Sequence, residues 1–256
     1  MKTKKREAII FCVILLISFG MCFNYIKLHY ANDTYAIYNM GYIEYATKIF
    51  LKAGRPFSCL LLIISDKLKL PIETLVLIST IIGIVISCMS VMLIRKIIKN
   101  LKYPKDILEE IIVVTIAYCT IYNFMYIEIL HFAETCILSL GIFAAIYAAY
   151  QLVVSNKCNI IRSFILLTIA VFSYNGTVGV YIVTVVLLSL LYNDGFKENI
   201  RNIIKAVILI IITIGLNFIQ IKVASNYYNV IQNRLSSNII NNLLYIIKNV
   251  RKCFVV

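Results

Sequence analysis

Long apolar segments restrict the possible folds of this chain more than any other feature of its sequence. An α-helix needs about 20 apolar residues to cross the hydrocarbon core of a bilayer, and the backbone inside that core must satisfy its own hydrogen bonds. The predicted membrane segments are residues 8–26, 72–94, 107–126, 132–154, 164–192 and 203–223. With 61% hydrophobic residues and a mean hydropathy of +0.90, the chain is predicted to be an all-α, polytopic helix bundle in a membrane.

The charged residues lie mainly in the links between these segments. The chain has 25 Lys and Arg residues against 12 Asp and Glu residues, a balance that would indicate nucleic acid in a soluble protein. Here the positive charges fit the positive-inside rule, so we expect a bilayer and no nucleic acid. Residues 1–7 are basic, which places the N-terminus in the cytoplasm. Five more positive charges follow the second segment, namely Arg95, Lys96, Lys99, Lys102 and Lys105.

The apolar segment at residues 164–192 is too long for one crossing, and the links on both sides of it are basic. Two cytoplasmic flanks require an even number of crossings, so we predict a break at the polar elbow 173–176. Such a break is tolerated where it lines a cavity, or it can pack helices together through small residues. This gives about seven crossings in a single domain. The predicted regions are a first span at 8–26, an outer loop at 27–71, the remaining spans at 72–223 and an outer or interfacial tail at 224–256.

The first outer loop carries the longest polar stretch between the early segments. Asn32 and Asp33 are residues that cap a helix N-terminus, and Gly54 with Pro56 supplies a stop. We predict an amphipathic helix over residues 34–53 that lies flat in the membrane interface, because tyrosine rings favour that depth. Its predicted apolar stripe consists of Ile37, Met40, Ile43, Ala46 and Phe50.

Three short motifs stand at fixed places relative to the spans: Asn32-Asp33 after the first span, Gly54-Arg55-Pro56 before the second, and Ser173-Tyr174-Asn175 at the elbow. Together they resemble the GtrII-type bacterial membrane glucosyltransferases, within the GT-C class of multi-spanning glycosyltransferases. In that family the first position of the loop pair is also an acid and the elbow reads Tyr-Gln, where this chain has Asn32 and Asn175. The resemblance covers residues 8–223. Members of the family are longer, so we expect a further C-terminal part.

The resemblance implies transfer of a sugar, glucose in this family, from a polyprenyl-phosphate donor to a cell-envelope glycan acceptor. The reaction is expected on the extracytoplasmic face of the bacterial cytoplasmic membrane. By the resemblance, Asp33 is the catalytic base that takes the proton of the acceptor hydroxyl. Arg55 is expected to hold the donor phosphate, and Asn32, Tyr174 and Asn175 are expected to contact substrate.

Each of these residues also has a simpler interpretation. Asp33 can serve only as a helix cap, and Arg55 can be an interfacial arginine at a helix end. For the whole chain the alternatives are a transporter or flippase for a lipid-linked glycan, for which broken helices are typical, and an inactive truncated remnant. A transferase requires Asp33 in an outer cavity that faces the elbow, whereas a transporter requires polar residues near the membrane midplane.

A second acidic cluster is predicted at the outer turn before residue 135. Glu128, His131 and Glu134 are spaced by three, so they would share one face of a continuous helix. Carboxylate and imidazole ligands suit a divalent cation, Mg²⁺ or Mn²⁺, or they can orient a sugar. The simpler interpretation is a polar cluster that marks where the chain leaves the membrane.

Overall fold

The computed structural model describes residues 2–26, 32–101, 104–154, 159–192 and 195–228. Throughout these ranges the regular structure is helical. The helices are α1 (Lys2–Met21), α2 (Phe23–Ile26), α3 (Asn32–Met40), α4 (Tyr42–Tyr45), α5 (Pro56–Lys67), α6 (Ile72–Leu101), α7 (Ile107–Ile121), α8 (Phe124–Leu130), α9 (Thr135–Val153), α10 (Ile160–Ser173), α11 (Thr177–Tyr192) and α12 (Phe196–Tyr227), with a π-helical turn at Ala46–Phe50 between α4 and α5. The predicted all-α class is confirmed.

Three of the described helices, α6, α9 and α12, are long and apolar enough to cross a membrane, which indicates a membrane protein. The apolar helices α10 and α11 are shorter, and the predicted break between them is present because α10 ends at Ser173 and α11 begins at Thr177. The predicted count of seven crossings is not confirmed by helix length. The predicted first span divides at Cys22, and the third ends at Ile121 rather than residue 126. Most of the predicted tail, residues 229–256, lies outside the described residues.

Helix α9 is the centre of the bundle and packs against α6, α10 and α11. Small side chains make this close packing possible. A Cβ atom added to Gly141 of α9 would lie 3.1 Å from side-chain atoms of both Ser173 and Thr177. A Cβ atom on Gly83 of α6 would lie 2.7 Å from the Thr135 side chain. The start of α9 is therefore fixed between α6 and the elbow that joins α10 to α11.

A buried ionic cluster ties α1, α6 and α7 together at the end of the bundle that carries the N-terminus. Arg95 is 1% exposed, and its Nε donates to Glu110 of α7 at 2.7 Å. The same guanidinium is paired with Glu7 of α1, and Arg6 pairs with Glu110 at 3.1 Å. The sequence interpretation counted Arg95 among the basic residues that follow a span ending at residue 94, but α6 continues to Leu101 and carries Arg95 into the interior.

The predicted single helix over residues 34–53 is also wrong, because the chain breaks at Gly41. This residue has φ +82°, a conformation that glycine adopts without strain. The segment instead forms α3, α4 and the π-helical turn, in which the backbone N–H of Leu51 donates to the Ala46 carbonyl at 3.1 Å. Of the predicted apolar stripe, Ile37 and Phe50 are buried together with Ala46, whereas Ile43 is 44% exposed. The loop thus forms its own small apolar core against α5 and the start of α6.

Candidate functional site

The loop between the π-helical turn and α5 is held in place by side chains from two distant elements. Asn217 of α12 donates from Nδ2 to the carbonyl of Gly54 at 2.8 Å. Gln220, one turn later, donates to the Leu51 carbonyl at 3.2 Å. Asn175 at the elbow donates to the carbonyl of residue 53 at 3.3 Å. Three amide side chains therefore fix the backbone that leads into Arg55.

Arg55 stands at the N-terminus of α5 and connects three parts of the chain. Its Nη1 donates to Oε1 of Glu134 at 3.2 Å, and its Cζ lies 4.7 Å from the centroid of the Tyr174 ring. The Arg55 side chain is 19% exposed, so part of it lies at the protein surface. A guanidinium has five N–H donors. Arg55 therefore has N–H donors beyond the one bound to Glu134, and an anion bound to them would share the guanidinium with Glu134.

Glu134 is the buried member of this pair, with a side chain that is 0% exposed at the N-cap of α9. Its Oε1 accepts from Arg55, while its Oε2 has no hydrogen-bond partner among the described residues. Burial raises the pKa of Glu134 to about 7, although the charge of Arg55 acts in the opposite direction. Asp33 raises this pKa further through its negative charge. Glu134 is consequently able to gain or lose a proton near neutral pH.

Asp33 lies in the first turn of α3 and is partly buried. Its charge acts on Glu134, and it is hydrogen-bonded to the side chain of Tyr45 in α4. Burial raises the pKa of Tyr45, and the neighbouring Asp33 raises it further. The Tyr45 hydroxyl therefore stays protonated and can hold the Asp33 carboxylate in position. Asp33, Arg55 and Glu134 thus belong to one electrostatic cluster, although they come from three separate segments.

The structure brings most of the predicted site residues together. Asp33, Arg55, Glu134 and Tyr174 form the cluster, and Asn175 supports the loop beside it. The side chain of Asn32 lies outside the described part of the structure. We call Asp33, Arg55, Glu134 and Tyr174 the acidic-arginine site.

The predicted common face of Glu128, His131 and Glu134 is wrong. Helix α8 ends at Leu130 and α9 begins at Thr135, so the three residues do not lie on one continuous helix. Glu128 is exposed, Glu134 is fully buried, and the His131 ring meets the Tyr25 ring edge-on at 5.3 Å between centroids. Within the described ranges there is no group of three His, Cys, Asp or Glu residues placed to hold a metal ion.

Three residues that support the acidic-arginine site were missed by the sequence interpretation. Tyr45 was counted among the tyrosines of the predicted interfacial helix, and Asn217 and Gln220 lie in the predicted apolar span 203–223. Asn217 and Gln220 could have been selected from the sequence. Two amide side chains spaced by three share a helix face, and here they do so inside a segment that faces lipid or other helices. Their partner was not predictable, since it is a backbone segment more than 160 positions earlier in the chain.

An apolar groove lies between the π-helical turn, α10 and α12. Its volume is about 610 Å³, and its walls include Leu51, Phe172 and Leu216. The Phe172 ring contacts the ring of Phe57, two residues after Arg55, with 6.5 Å between centroids. A charged group bound at Arg55 therefore has an apolar surface within reach for an attached hydrocarbon chain.

Comparisons with protein-family models, with curated proteins and with solved structures found no match for this chain.

Proposed function

We propose that this protein is a membrane glycosyltransferase that moves a sugar from a polyprenyl-phosphate carrier to a cell-envelope glycan on the extracytoplasmic face. In this proposal Arg55 binds the donor phosphate and Asp33 takes the acceptor proton. Glucose is the proposed sugar, as the family resemblance of the three motifs implies. The proposed location is the bacterial cytoplasmic membrane, with the N-terminus in the cytoplasm.

The observation that carries the proposal is the convergence of distant segments on one partly exposed arginine. Arg55 contacts Glu134 at the start of α9 and Tyr174 at the elbow, and Asp33 lies close enough to influence the ionisation of Glu134. The exposed ring of Tyr174, which lies against the Arg55 guanidinium, offers a flat surface of the kind against which a sugar ring packs. Carboxylate, guanidinium and aromatic ring are the groups that a phosphate-linked sugar requires.

The proposed reaction needs one proton acceptor and one cation. The bond between the anomeric carbon and the phosphate oxygen breaks, and its electron pair leaves with the polyprenyl phosphate. A bond forms between the anomeric carbon and the acceptor oxygen, whose proton goes to the Asp33 carboxylate. Arg55 offsets the charge on the departing phosphate. A phosphate is a good leaving group without protonation, so the step does not require a general acid.

The apolar groove supports a lipid-linked donor over a nucleotide sugar. An isoprenoid chain loses little free energy when it moves from the lipid to the apolar wall formed by Phe172 and Leu216, since both lipid and protein surfaces are apolar there. A nucleotide would instead need polar partners along the same surface. The groove is of the size that ligand pockets commonly have.

The proposal predicts that Asp33→Asn abolishes transfer of radiolabelled glucose from polyprenyl-phosphate glucose to membrane glycan in vesicles that contain the protein. A loss of about 100-fold or more is expected, since general base catalysis contributes about 10²–10⁴ in rate. The matched control is Asp66→Asn, which removes an exposed acid at the other end of the same loop region.

Transfer that survives in Asp33→Asn at the wild-type rate would remove Asp33 from the mechanism. Wild-type vesicles that carry labelled donor across the bilayer without transferring its sugar would instead identify a transporter. The Asp66→Asn variant should transfer glucose at the wild-type rate in every case. If Asp66→Asn and Asp33→Asn both lose transfer, the loss would show only that this loop region tolerates no substitution.

A further inference from the structure

We infer that binding of a phosphodiester at Arg55 is coupled to the uptake of one proton by Glu134. The inference rests on the proposed function, because it assigns the anionic ligand of Arg55 to the lipid-phosphate sugar donor. It adds a property that the transfer reaction does not require. The affinity of the site for its donor should depend on pH although the donor itself does not titrate near neutral pH.

The two members of the ion pair between Arg55 and Glu134 differ in exposure. The Arg55 side chain is 19% exposed, whereas that of Glu134 is 0% exposed. A ligand can therefore reach the cation but not the carboxylate. A phosphodiester that accepts hydrogen bonds from Arg55 competes directly with Oε1 of Glu134, which is 3.2 Å from Nη1.

When Arg55 turns to the ligand, Glu134 keeps its other neighbours. The titratable and charged groups that face it are Arg55 from α5, Asp33 from α3, Tyr45 from α4 and Cys136 from α9. Helix α6 contributes the neutral Ser79, whose hydroxyl accepts from the backbone N–H of Cys136 at 3.1 Å. Arg55 is the cation of this set, and Asp33 has the same charge as Glu134.

A carboxylate that stays buried without its cation is costly. Oε2 of Glu134 already lacks a hydrogen-bond partner within the described structure, and apart from its own backbone N–H it is Arg55 that stabilises the ionised form. A weakened bond from Arg55 to Oε1 would leave that backbone group as the remaining stabilising contact. An isolated buried charge is avoided by protonation. Burial already raises the pKa of Glu134 to about 7 with Arg55 opposing the shift. The loss of Arg55 to a ligand must therefore raise this pKa further.

The affinity for the donor is expected to fall as the pH rises above neutrality. Below the pKa of the free protein, Glu134 already carries its proton and binding is insensitive to pH. Above about pH 7 the proton must be taken up on binding, so the affinity falls by about tenfold for each pH unit until the pKa of the bound state is reached. Donor binding is thus expected to be strongest on the acidic side of neutrality.

The test is calorimetric titration of the purified full chain with polyprenyl-phosphate glucose between pH 5.5 and 8.5. This donor is a phosphodiester, so its own charge is constant over that range. Each titration is done in two buffers with different heats of ionisation, which gives the number of protons taken up. We expect approximately one proton above pH 7.5 and a dissociation constant at pH 8.5 about tenfold or more above that at pH 6.

A second probe is diethyl phosphate, which has the same phosphodiester charge without lipid or sugar. If it binds, it should take up a proton with the same pH dependence, because only its contact with Arg55 matters. A flat pH profile with no proton uptake for the lipid donor would overturn the inference. The measurement on the wild-type protein is sufficient for this test, so the outcome does not depend on whether a variant folds.

Two variants locate the proton. Glu134→Gln should bind the donor with a dissociation constant that varies less than about twofold across the pH range, because the neutral amide never competes as an anion. The matched control Glu44→Gln removes an exposed carboxylate of the same loop, which is paired with Lys48 at 2.6 Å, and it should keep the wild-type profile. Proton uptake that persists in Glu134→Gln would assign the proton to another group and overturn the inference.

The outcomes also separate this inference from the proposed function. A wild-type protein that binds no polyprenyl-phosphate glucose at any pH contradicts the proposed function and the inference together. A protein that binds and transfers the sugar without taking up a proton contradicts only the inference. Both the proposed function and the inference predict that Arg55→Ala loses donor binding at every pH.

Discussion

Glu134 is an unusual carboxylate because its surroundings disfavour its negative charge, whereas its partner Arg55 favours that charge. Arg55 stabilises the ionised form, while full burial and the nearby Asp33 stabilise the protonated form. A buried ion pair of this kind contributes little net stability compared with apolar packing. Its position beside an exposed tyrosine and a partly exposed arginine fits a ligand site better than a purely structural role.

The raised pKa of Glu134 predicts a pH-dependent stability. Its folded-state pKa, about 7, lies above its ordinary value of 4.5, so the folded protein holds the proton more tightly than the unfolded chain. This contribution is fully present below about pH 4.5 and is lost as the pH rises to about 7, with a size of up to about 3 kcal/mol. Thermal unfolding in detergent should show wild type losing more stability than Glu134→Gln over this interval.

The control for this measurement is Glu44→Gln, whose carboxylate is exposed. That variant should follow the wild-type pH profile. Parallel profiles for wild type and Glu134→Gln would mean that Glu134 titrates normally, and the account of a buried, partly protonated carboxylate would be wrong.

Gly54 predicts a second effect on stability. Its φ of +73° is a conformation that L-residues rarely adopt, and a Cβ atom there would collide with the side chain of Asn217. Gly54→Ala should lower the free energy of unfolding by about 1–3 kcal/mol. Gly215→Ala on α12 is the control, since a Cβ atom there meets no atom of the described structure within 4 Å. An unchanged melting temperature for Gly54→Ala would show that the loop is not held as described.

Sequence reasoning identified the individual residues of the site better than their contacts. Asp33, Arg55 and Tyr174 were selected from short motifs, and each lies in the cluster. The ion pair between Arg55 and Glu134 joins residues 79 positions apart, a separation for which neither periodicity nor motif spacing carries information. Glu134 was selected for a different reason, a common helix face with Glu128, which the break before α9 abolishes.

At the scale of elements, the loop predicted to lie outside the membrane shows where helix signals suffice and where they do not. The predicted stop at Gly54 agrees with the structure, because Gly54 has φ +73° and the π-helical turn ends before it. Helix α3 begins at Asn32, so Asn32 and Asp33 lie in its first turn rather than before it, where they were predicted as caps. The break at Gly41 was missed, since glycine inside a periodic apolar pattern is often tolerated. Burial of Ile37 and Phe50 in the same small core requires the chain to change direction between them.

The junction of α1, α6 and α7 yields a prediction about ionic pairing. Arg95→Leu removes the cation from between Glu7 and Glu110 and leaves Glu110 buried without that partner. Breaking a buried pair in this way costs about 3–5 kcal/mol. The double variant Arg95→Leu with Glu110→Leu should regain most of this loss, because apolar residues can fill the same space. Thermal unfolding in detergent measures both variants.

The control for the junction is Arg201→Leu on α12. Arg201 and Glu198 form an exposed pair at 2.7 Å, and such pairs contribute no more than about 1 kcal/mol. If Arg95→Leu melts like Arg201→Leu, the buried cluster does not hold the three helices together. If the double variant is less stable than the single one, Glu110 has a role that Arg95 does not explain.

At the scale of the whole molecule, the sequence predicted the class and the membrane environment from the long apolar segments. Hydropathy does not measure whether a segment forms one helix or several, so the segment at 8–26 was taken as continuous although it divides at Cys22. The basic links set the expected orientation, but Arg95 shows that a positive charge near a span end can lie inside the bundle. The elbow between α10 and α11 was predictable because its polar residues interrupt an otherwise apolar stretch.

The central claim is that the acidic-arginine site opens on the extracytoplasmic face, where a lipid-linked donor and a cell-envelope acceptor meet. The most direct test replaces the eight native cysteines and introduces Tyr35→Cys, an exposed position on α3 two residues after Asp33. A matched variant carries Lys197→Cys at the exposed start of α12, on the expected cytoplasmic side. Intact cells are then treated with a membrane-impermeant maleimide. The account predicts labelling of Tyr35→Cys in intact cells and of Lys197→Cys only after permeabilisation, whereas the reverse pattern would contradict it.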